Sequence, residues 1–203
     1  YYCSTMMNCM FDCSYCYLKG MYPSGHMVIF VNLEDYFEKL EEMLAKSEIY
    51  LCVSYDADLL AMDSLTGYAS AWADFAKNHE NLKIEIRTKS ARMEMWEQCA
   101  PATNVIDAFT VAPEEMIVAS EKKTPSAKAR IACAVEGVKR GFAVRLCFDP
   151  MLYLPNWKEY YGNLLEAFDQ AFAEKSCHFS DVMDVSVGAF RISQDYMKRI
   201  RRV

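Results

Sequence analysis

Short apolar runs alternate with longer amphipathic stretches along the chain. The short runs are rich in β-branched residues and predict strands, whereas apolar positions spaced about 3.6 residues apart in the longer stretches predict helices. A strand followed by a helix, repeated about six times, is typical of a parallel α/β sheet, either doubly wound or curled into part of a barrel. The predicted strands lie at 27–31, 49–55, 83–88, 105–111, 143–149 and 183–190, with "YYCS" at 1–4 as the end of another. Helical spacing also extends over 62–78 and 156–174.

Two further helices carry signals at their ends. Apolar residues recur at helical spacing over 33–44, with Asn32 as the candidate N-cap. In "KTPSAKARIACAVEGVKRG", Thr124 is the expected N-cap, Pro125 the first helical residue and Gly141 the residue just past the end. In both kinds of parallel sheet, ligands bind at the C-terminal ends of the strands, so we expect the functional residues there.

The composition fits one globular domain. The chain has 203 residues, 53% of them hydrophobic, which is enough to bury a sizeable core. Its longest apolar runs are far shorter than the ~20 residues that cross a bilayer, and no targeting segment opens the chain. We therefore expect a cytoplasmic protein with no membrane contact and one domain over 1–203. Because the chain opens on Tyr1 rather than methionine, we expect segments of that domain to be missing at one or both ends.

The charge balance weighs against a large nucleic-acid surface. The formal net charge is -6, which opposes a surface built to neutralise many phosphates. Two local stretches are cationic, "EKKTPSAKAR" at 121–130 and "KRIRRV" at 198–203. The nine cysteines are an odd number. In a reducing compartment they favour metal ligation or buried thiols over a disulfide framework.

Three of the cysteines form a compact cluster. Cys9, Cys13 and Cys16 have the spacing C-x3-C-x2-C on a segment, residues 9–16, that we call the cysteine loop. A structural zinc site needs four ligands, and the nearest fourth candidates, Cys3 and His26, have no typical partner spacing. Three thiolates on one loop can instead hold three irons of a 4Fe–4S cluster and leave the fourth iron open to another ligand. Buried thiols without a metal are the alternative.

The cysteine loop resembles that of the radical S-adenosylmethionine (SAM) superfamily, in which this spacing is combined with an aromatic residue before the last cysteine. That residue is Tyr15 here. The resemblance implies a mechanism in which SAM chelates the open iron and one electron cleaves its C–S bond. The resulting 5'-deoxyadenosyl radical then takes a hydrogen atom from the substrate. Such cofactors carry the difficult chemistry, and the protein orients them and excludes water.

Most of the chain is similar to the spore photoproduct lyase family within this superfamily. The fold implied is a partial (βα)6 TIM-like barrel of parallel strands, which agrees with the alternation of strands and helices. The segments that carry the resemblance occur in the family's order and are "CSYCYLKG", "DADLLAMDSLTG", "IEIRTKS", "TPSAKARIACAVEGVKRGF" and "DPMLYLPNWKEYY".

The resemblance assigns roles to four residues outside the cysteines. Lys89 matches a lysine that binds the SAM carboxylate, and a cation suits that task. Thr110 matches a serine near SAM and is expected at the ribose. Tyr15 is expected to pack near the adenine, and Tyr17 matches a tyrosine of the hydrogen-atom relay. Ordinary packing is the alternative for the two tyrosines, and an ordinary strand position is the alternative for Thr110.

The segment "SYDADLL" after the second strand holds both a match and a departure. Ser54 and Asp58, with Asp56 between them, offer acceptors to the SAM amino group, and Asp58 aligns with an aspartate of the family. Three residues before that aspartate, the lyase has a cysteine that returns a hydrogen atom to the product radical. Tyr55 occupies this position here. Strand alternation directs the nearest thiol, Cys52, to the opposite face, so Tyr55 and Tyr17 are the expected hydrogen-atom donors.

The sequence therefore predicts a radical SAM enzyme with a 4Fe–4S cluster, SAM and an unidentified substrate. A flavodoxin or ferredoxin type reductant is the implied partner. The replacement at Tyr55 and the acidic composition disfavour DNA, so a thymine-dimer lyase is the first alternative. An electron-transfer or zinc-binding module is the second, from a different class of protein.

Overall fold

The computed structural model describes residues 1–201, so positions 202 and 203 of the C-terminal cationic stretch lie outside the described residues. In the described part, no helix is both long and apolar enough to span a membrane.

The strands are β1 (Met6–Met7), β2 (Val28–Ile29), β3 (Ile49–Cys52), β4 (Leu82–Thr88), β5 (Val105–Thr110), β6 (Ala143–Met151) and β7 (Asp184–Ala189). The helices are α1 (Leu18–Met21), α2 (Leu33–Leu44), α3 (Leu59–Thr66), α4 (Tyr68–Lys77), α5 (Glu94–Gln98), α6 (Glu114–Ser120), α7 (Ala127–Lys139), α8 (Trp157–Glu174) and α9 (Gln194–Ile200).

A five-stranded parallel sheet in the order β3-β4-β5-β6-β7 forms the centre of the fold, which is a partial TIM-like barrel. The N-terminal residues extend this sheet beyond β3. Tyr2 pairs with Cys52 in parallel, and the Cys3 N–H donates to the Cys52 carbonyl at 3.0 Å. The prediction of a strand end at 1–4 is therefore confirmed, and the parallel arrangement gains a sixth segment.

The strand predicted at 27–31 does not join the parallel sheet. Its central residues form β2, which pairs with β1 in an antiparallel ribbon of two residues each. The short apolar run at 27–31 indicated an extended backbone correctly. It could not indicate the partner, because pairing is decided by contacts distant in sequence.

The helix predicted over 62–78 is divided in two at Gly67. Gly67 has a φ of 65°, in the left-handed region that glycine adopts without steric cost, and it separates α3 from α4. The buried Asp63 carboxylate accepts the N–H groups of Ala69 at 2.7 Å and Ser70 at 3.3 Å. These bonds satisfy free donors of the first turn of α4, so the break is stabilised where it occurs.

The start of α7 also differs from its predicted position. Ser126 rather than Thr124 is the N-cap, and its hydroxyl accepts a hydrogen bond from an N–H of the first turn. Thr124 is instead bonded to the Glu121 carboxylate and to Arg130. A threonine used by a buried ion pair cannot also cap the helix. Gly141 follows the helix end as predicted, with a φ of 84°.

The short helix α1, which follows the cysteine loop, packs against α9. A Cβ atom on Gly20 would lie 2.6 Å from the backbone oxygen of Tyr196, so only glycine permits this approach. The Arg199 guanidinium donates to the Gly20 carbonyl at 3.2 Å. Helices α1 and α9 therefore stabilise each other by close packing and a hydrogen bond.

Asp107 on β5 is a fully buried carboxyl. The Trp96 indole N–H donates to one of its oxygens at 2.7 Å, and the other oxygen has no hydrogen-bond partner among the described residues. Burial raises the pKa of the Asp107 carboxyl to about 7, although the hydrogen bond from Trp96 opposes this rise. The folded chain therefore holds a proton here that an unfolded chain loses at much lower pH.

We expect the free energy of unfolding to fall as the pH rises towards neutrality. The stabilisation is fully present below the unfolded pKa of 3.8 and is lost as the pH rises through the folded pKa of about 7. Between about pH 5 and about pH 7 the loss is on the order of 2 kcal/mol. Urea unfolding at both pH values, for the wild type and for Asp107→Asn, measures it. The amide can still accept the Trp96 bond, so an equally steep slope in the variant would contradict the assignment.

Candidate functional site

One cavity of about 580 Å³ lies at the C-terminal ends of the parallel strands, between the sheet and the cysteine loop. Ten of the residues that the sequence singled out line this cavity; Asp56 does not, and its carboxylate accepts the Ser4 and Tyr22 hydroxyls instead. Cys9, Cys13 and Cys16 line it together with the flanking Tyr15 and Tyr17. The strand ends contribute Ser54, Tyr55, Asp58, Lys89 and Thr110. Residues separated by up to 101 positions in sequence therefore line one cavity, as the rule for parallel sheets predicts.

The cysteine loop is tied to the segment that follows α6. Cys13 forms an antiparallel bridge with Glu121, and the Ser14 N–H donates to the Ser120 carbonyl at 2.7 Å. Inside the loop, the Cys16 N–H donates to the Cys13 carbonyl at 3.1 Å. These bonds fix the backbone on which the three thiols are placed.

The three loop thiols are the candidate cluster ligands. All three are free thiols, with Cys13 buried and the other two half-buried. Burial raises the pKa of Cys9 and Cys13 to about 12, so metal coordination is what would stabilise thiolates there. In residues 1–201 no three or more His, Cys, Asp or Glu side chains are arranged to hold one metal ion. A cubane binds each thiolate at a different corner, so its ligands need not converge on one point.

Lys89 follows β4 directly and directs its ammonium into a polar corner of the cavity. Its Nζ lies 3.3 Å from a carboxylate oxygen of Glu121 and 5.4 Å from the ring centroid of Tyr15. The side chain is 17% exposed, so its charge is held mostly away from bulk solvent. An ammonium with three N–H donors and one carboxylate partner, Glu121, is suited to bind the carboxylate of a ligand as well.

Lys89→Met is expected to weaken SAM binding about 30-fold, because a charge-assisted hydrogen bond to the SAM carboxylate is lost while the chain length is kept. Equilibrium binding of SAM to the reconstituted, reduced protein measures this effect. Lys46→Met, a change of the same kind at an exposed position after α2, is the control and should bind SAM as the wild type does. If both variants bound SAM with the same affinity, Lys89 would not be a SAM-binding residue.

Ser54 and Asp58 are already used to join the ends of neighbouring strands. The Ser54 hydroxyl accepts the Arg87 N–H at 2.6 Å and donates to the Arg87 carbonyl at 3.0 Å. Asp58 caps α3 and also accepts the Thr88 hydroxyl and the Lys89 N–H, each at 2.7 Å. Burial raises the pKa of Asp58 against the effect of these hydrogen bonds. The assignment of Ser54 and Asp58 to the SAM amino group remains a prediction. Both residues already have a structural role, because they connect neighbouring strand ends.

Three tyrosines form one wall of the cavity. The Tyr17 hydroxyl donates to the Tyr55 carbonyl at 2.7 Å, and the two ring centroids are 6.0 Å apart. The Tyr55 ring stacks on Tyr2 with centroids 4.3 Å apart and is 41% exposed. Desolvation raises the pKa of both Tyr17 and Tyr55, so both phenols keep their protons at neutral pH.

The predicted orientation of Cys52 is wrong. Cys52 lines the same cavity as Tyr55, although an odd offset along a strand would place the two on opposite faces. The alternation fails because β3 ends at Cys52 and the chain from Ser54 onward is no longer extended in register with β4. A thiol is therefore present near Tyr55 in the cavity lining.

Sequence reasoning missed a buried acid and its partner. Glu121 and Arg130 form an ion pair in which both side chains are almost completely buried. A usable signal was present, because Arg130 lies among the apolar positions Ala127, Ile131 and Ala134 of a predicted helix. A buried arginine requires an acidic partner, but spacing alone does not identify it.

Comparison with known proteins gives one family. A family model described as spore photoproduct lyase matches residues 1–194. The curated spore photoproduct lyase of Clostridium acetobutylicum is 24% identical over 177 residues, which cover 84% of this chain and 52% of that protein. This chain thus spans about half the length of the curated relative.

Solved structures share the fold. Spore photoproduct lyase complexed with dinucleoside spore photoproduct matches with a TM-score of 0.86 at 19% identity, covering 98% of this chain and 58% of that one. A double mutant of the lyase with bound AdoMet and the same dinucleoside gives 0.85 at 17%, covering 98% and 59%. Streptococcus suis SuiB bound to S-adenosylmethionine gives 0.71 at 10%, covering 99% and 45%.

Proposed function

The chain belongs to the spore photoproduct lyase family, and from this membership we propose that it is a radical SAM enzyme that reverses the spore photoproduct, a covalent thymine dimer of DNA. The observation that carries the radical SAM part is that three loop thiols and Lys89 line one cavity. The substrate is supported by solved relatives that hold a dinucleoside spore photoproduct.

The family match favours this substrate over the unidentified one that the sequence analysis preferred. The net charge of -6 describes the whole surface, whereas a lesion of two bases needs only a local site. Arg191 lies on the cavity edge with a side chain 81% exposed, and Asp149 is 4.0 Å from it. An exposed arginine of this kind is suited to contact a phosphate of a nucleic-acid ligand.

In this proposal the cysteine loop binds the cluster and the strand ends bind SAM. Cys9, Cys13 and Cys16 would hold a 4Fe–4S cluster, which, with bound SAM and an electron from a flavodoxin or ferredoxin type reductant, supplies the 5'-deoxyadenosyl radical chemistry. Lys89 would bind the SAM carboxylate.

Four further residues complete the SAM site in this proposal. Asp58 and Ser54 would accept from the amino group, Thr110 would face the ribose, and Tyr15 would pack on the adenine.

Tyr55 is proposed as the donor that returns a hydrogen atom to the substrate-derived radical. Its phenol O–H breaks as the new C–H bond forms, which leaves a tyrosyl radical next to Tyr17. The hydrogen bond from Tyr17 to the Tyr55 carbonyl holds the two rings in place for this transfer. Cys52, on the same cavity wall, is the thiol that could act instead.

An anaerobic assay of the reconstituted, reduced chain with SAM and the dinucleoside spore photoproduct tests the proposal. We expect 5'-deoxyadenosine together with the restored pair of thymidines. If 5'-deoxyadenosine forms but the lesion survives, the chain is a radical SAM enzyme with another substrate, the candidate that a tyrosine at position 55 favours. If neither product forms in iron-loaded protein, the proposed function is wrong.

A further inference from the structure

A buried carboxylate lies behind the cysteine loop. The Glu121 side chain is 1% exposed and lies between two cations, Arg130 at 0% and Lys89 at 17%. Burial of a charge is costly unless it is paired and hydrogen-bonded. Glu121 is therefore a paired, buried carboxylate, and the contacts of its two oxygens indicate its role.

The two carboxylate oxygens serve different parts of the site. One accepts the Tyr15 hydroxyl and lies 3.3 Å from the Lys89 ammonium. The other accepts Arg130 and lies 3.1 Å from the Thr124 hydroxyl. The first oxygen thus contacts two residues that line the cavity, and the second contacts buried groups of the interior.

The interior side is rigid. The Arg130 guanidinium also donates to the Pro125 carbonyl at 3.0 Å and to the Thr110 carbonyl at 3.2 Å. Arginine presents its donors in a planar fork, so bonds in several directions fix its orientation. Because Arg130 cannot turn, Glu121 is held in one orientation as well.

The backbone of the same residue holds the loop. Cys13 is bridged to Glu121, and the neighbouring Ser14 N–H is bonded to Ser120. One residue therefore binds the cysteine loop twice, through its main chain at Cys13 and through its side chain at Tyr15. It also contacts the cation expected to bind SAM.

Two cations share the Glu121 carboxylate. Arg130 and Lys89 place two cations on the single carboxylate of Glu121, so each cation shares that partner. An anionic group on a ligand would give one of them a further partner. Lys89 is the cation that can shift towards it, since Arg130 is fixed.

We propose that Glu121 is a positioning residue that holds the cysteine loop and the Lys89 ammonium in one fixed arrangement, so that the cluster ligands and the SAM-binding cation keep a constant separation. This inference rests on the SAM-binding part of the proposed function and not on the lesion as substrate.

Glu121→Gln tests the proposal, because the amide nitrogen cannot accept a hydrogen bond and one of the two cations loses its partner. We expect SAM to bind the reduced protein about 10- to 30-fold more weakly, with a smaller SAM-induced change in the EPR spectrum. In metal-free protein, amide hydrogen exchange over residues 13–16 should become about tenfold faster. Glu114→Gln, the same change on α6 at a carboxylate that accepts the Ala127 N–H, is the matched control.

Tyr15→Phe decides the matter if Glu121→Gln does not fold. It removes only the hydroxyl bonded to Glu121 and should weaken SAM binding about threefold or more, in the same direction. Unchanged SAM affinity and unchanged exchange of the loop in a folded Glu121→Gln would overturn the proposal, as would a fall in melting temperature alone. If the wild type gives no SAM-dependent EPR change, the proposed function fails, and the exchange measurement still decides whether Glu121 holds the loop.

Discussion

Cys13→Ala is expected to abolish the iron–sulfur chromophore and to reduce reductive SAM cleavage to background. Cys13 is the buried member of the three loop cysteines, and its backbone is bridged to Glu121, so no neighbouring thiol can take its place. With two ligands left, one iron corner of the cluster loses its protein attachment. Iron and sulfide analysis, the visible absorption band and the yield of 5'-deoxyadenosine measure the effect.

Cys133→Ala is the control for this experiment. Cys133 is also buried, but it lies on α7 with its thiol 3.7 Å from the Arg92 carbonyl and is not part of the cavity lining. It should keep iron, sulfide and activity. A single zinc per chain in the wild type, or a chromophore that survives Cys13→Ala, would favour the structural or electron-transfer module.

Tyr55→Phe is expected to lower the number of lesions reversed per SAM cleaved by roughly 100-fold, because it removes the proposed hydrogen-atom donor. The stacked ring on Tyr2 and the main-chain carbonyl that accepts the Tyr17 hydroxyl both remain. The cavity should keep its shape, so formation of 5'-deoxyadenosine should continue. The ratio of repaired dinucleoside to 5'-deoxyadenosine measures the coupling. In heavy water the wild-type product should carry one deuterium, since a phenol exchanges its hydrogen with solvent.

Two further substitutions separate the possible donors. Tyr55→Cys places a thiol where the lyase carries one and should retain turnover, while Tyr153→Phe changes an 84% exposed tyrosine outside the cavity lining and should have no effect. If Tyr55→Phe keeps the wild-type ratio and Cys52→Ala loses it, the hydrogen atom comes from the thiol.

The sequence predicted local features of the fold well. The strand predicted over 105–111 is found at Val105–Thr110, and Gly141 ends its helix where expected, because both depend on neighbouring residues. The break at Gly67 was missed because the apolar spacing continues across it. The antiparallel pairing of 27–31 was missed because it depends on β1, a segment distant in sequence.

The candidate site was predicted in part for the same reason. A compact motif such as the cysteine loop is visible in sequence, and the strand-end rule gathers Lys89 and Thr110 beside it. Glu121 and Arg130 carry no motif, and their pairing arises only when α7 packs on the sheet. The shift of Thr124 from helix cap to ion-pair partner follows from that packing and could not be foreseen without it.

The contact between α1 and α9 has a consequence for the order in which the protein matures. The segment that follows the cysteine loop reaches its final packing only when Tyr196 is present to lie against Gly20, and Cys13 reaches its partner only when Glu121 is present. Contacts between such distant residues form late in folding, because the cost of closing a long loop must be met first. The cysteine loop is thus completed by residues that are synthesised well after it, and metal insertion is expected to follow synthesis of α9.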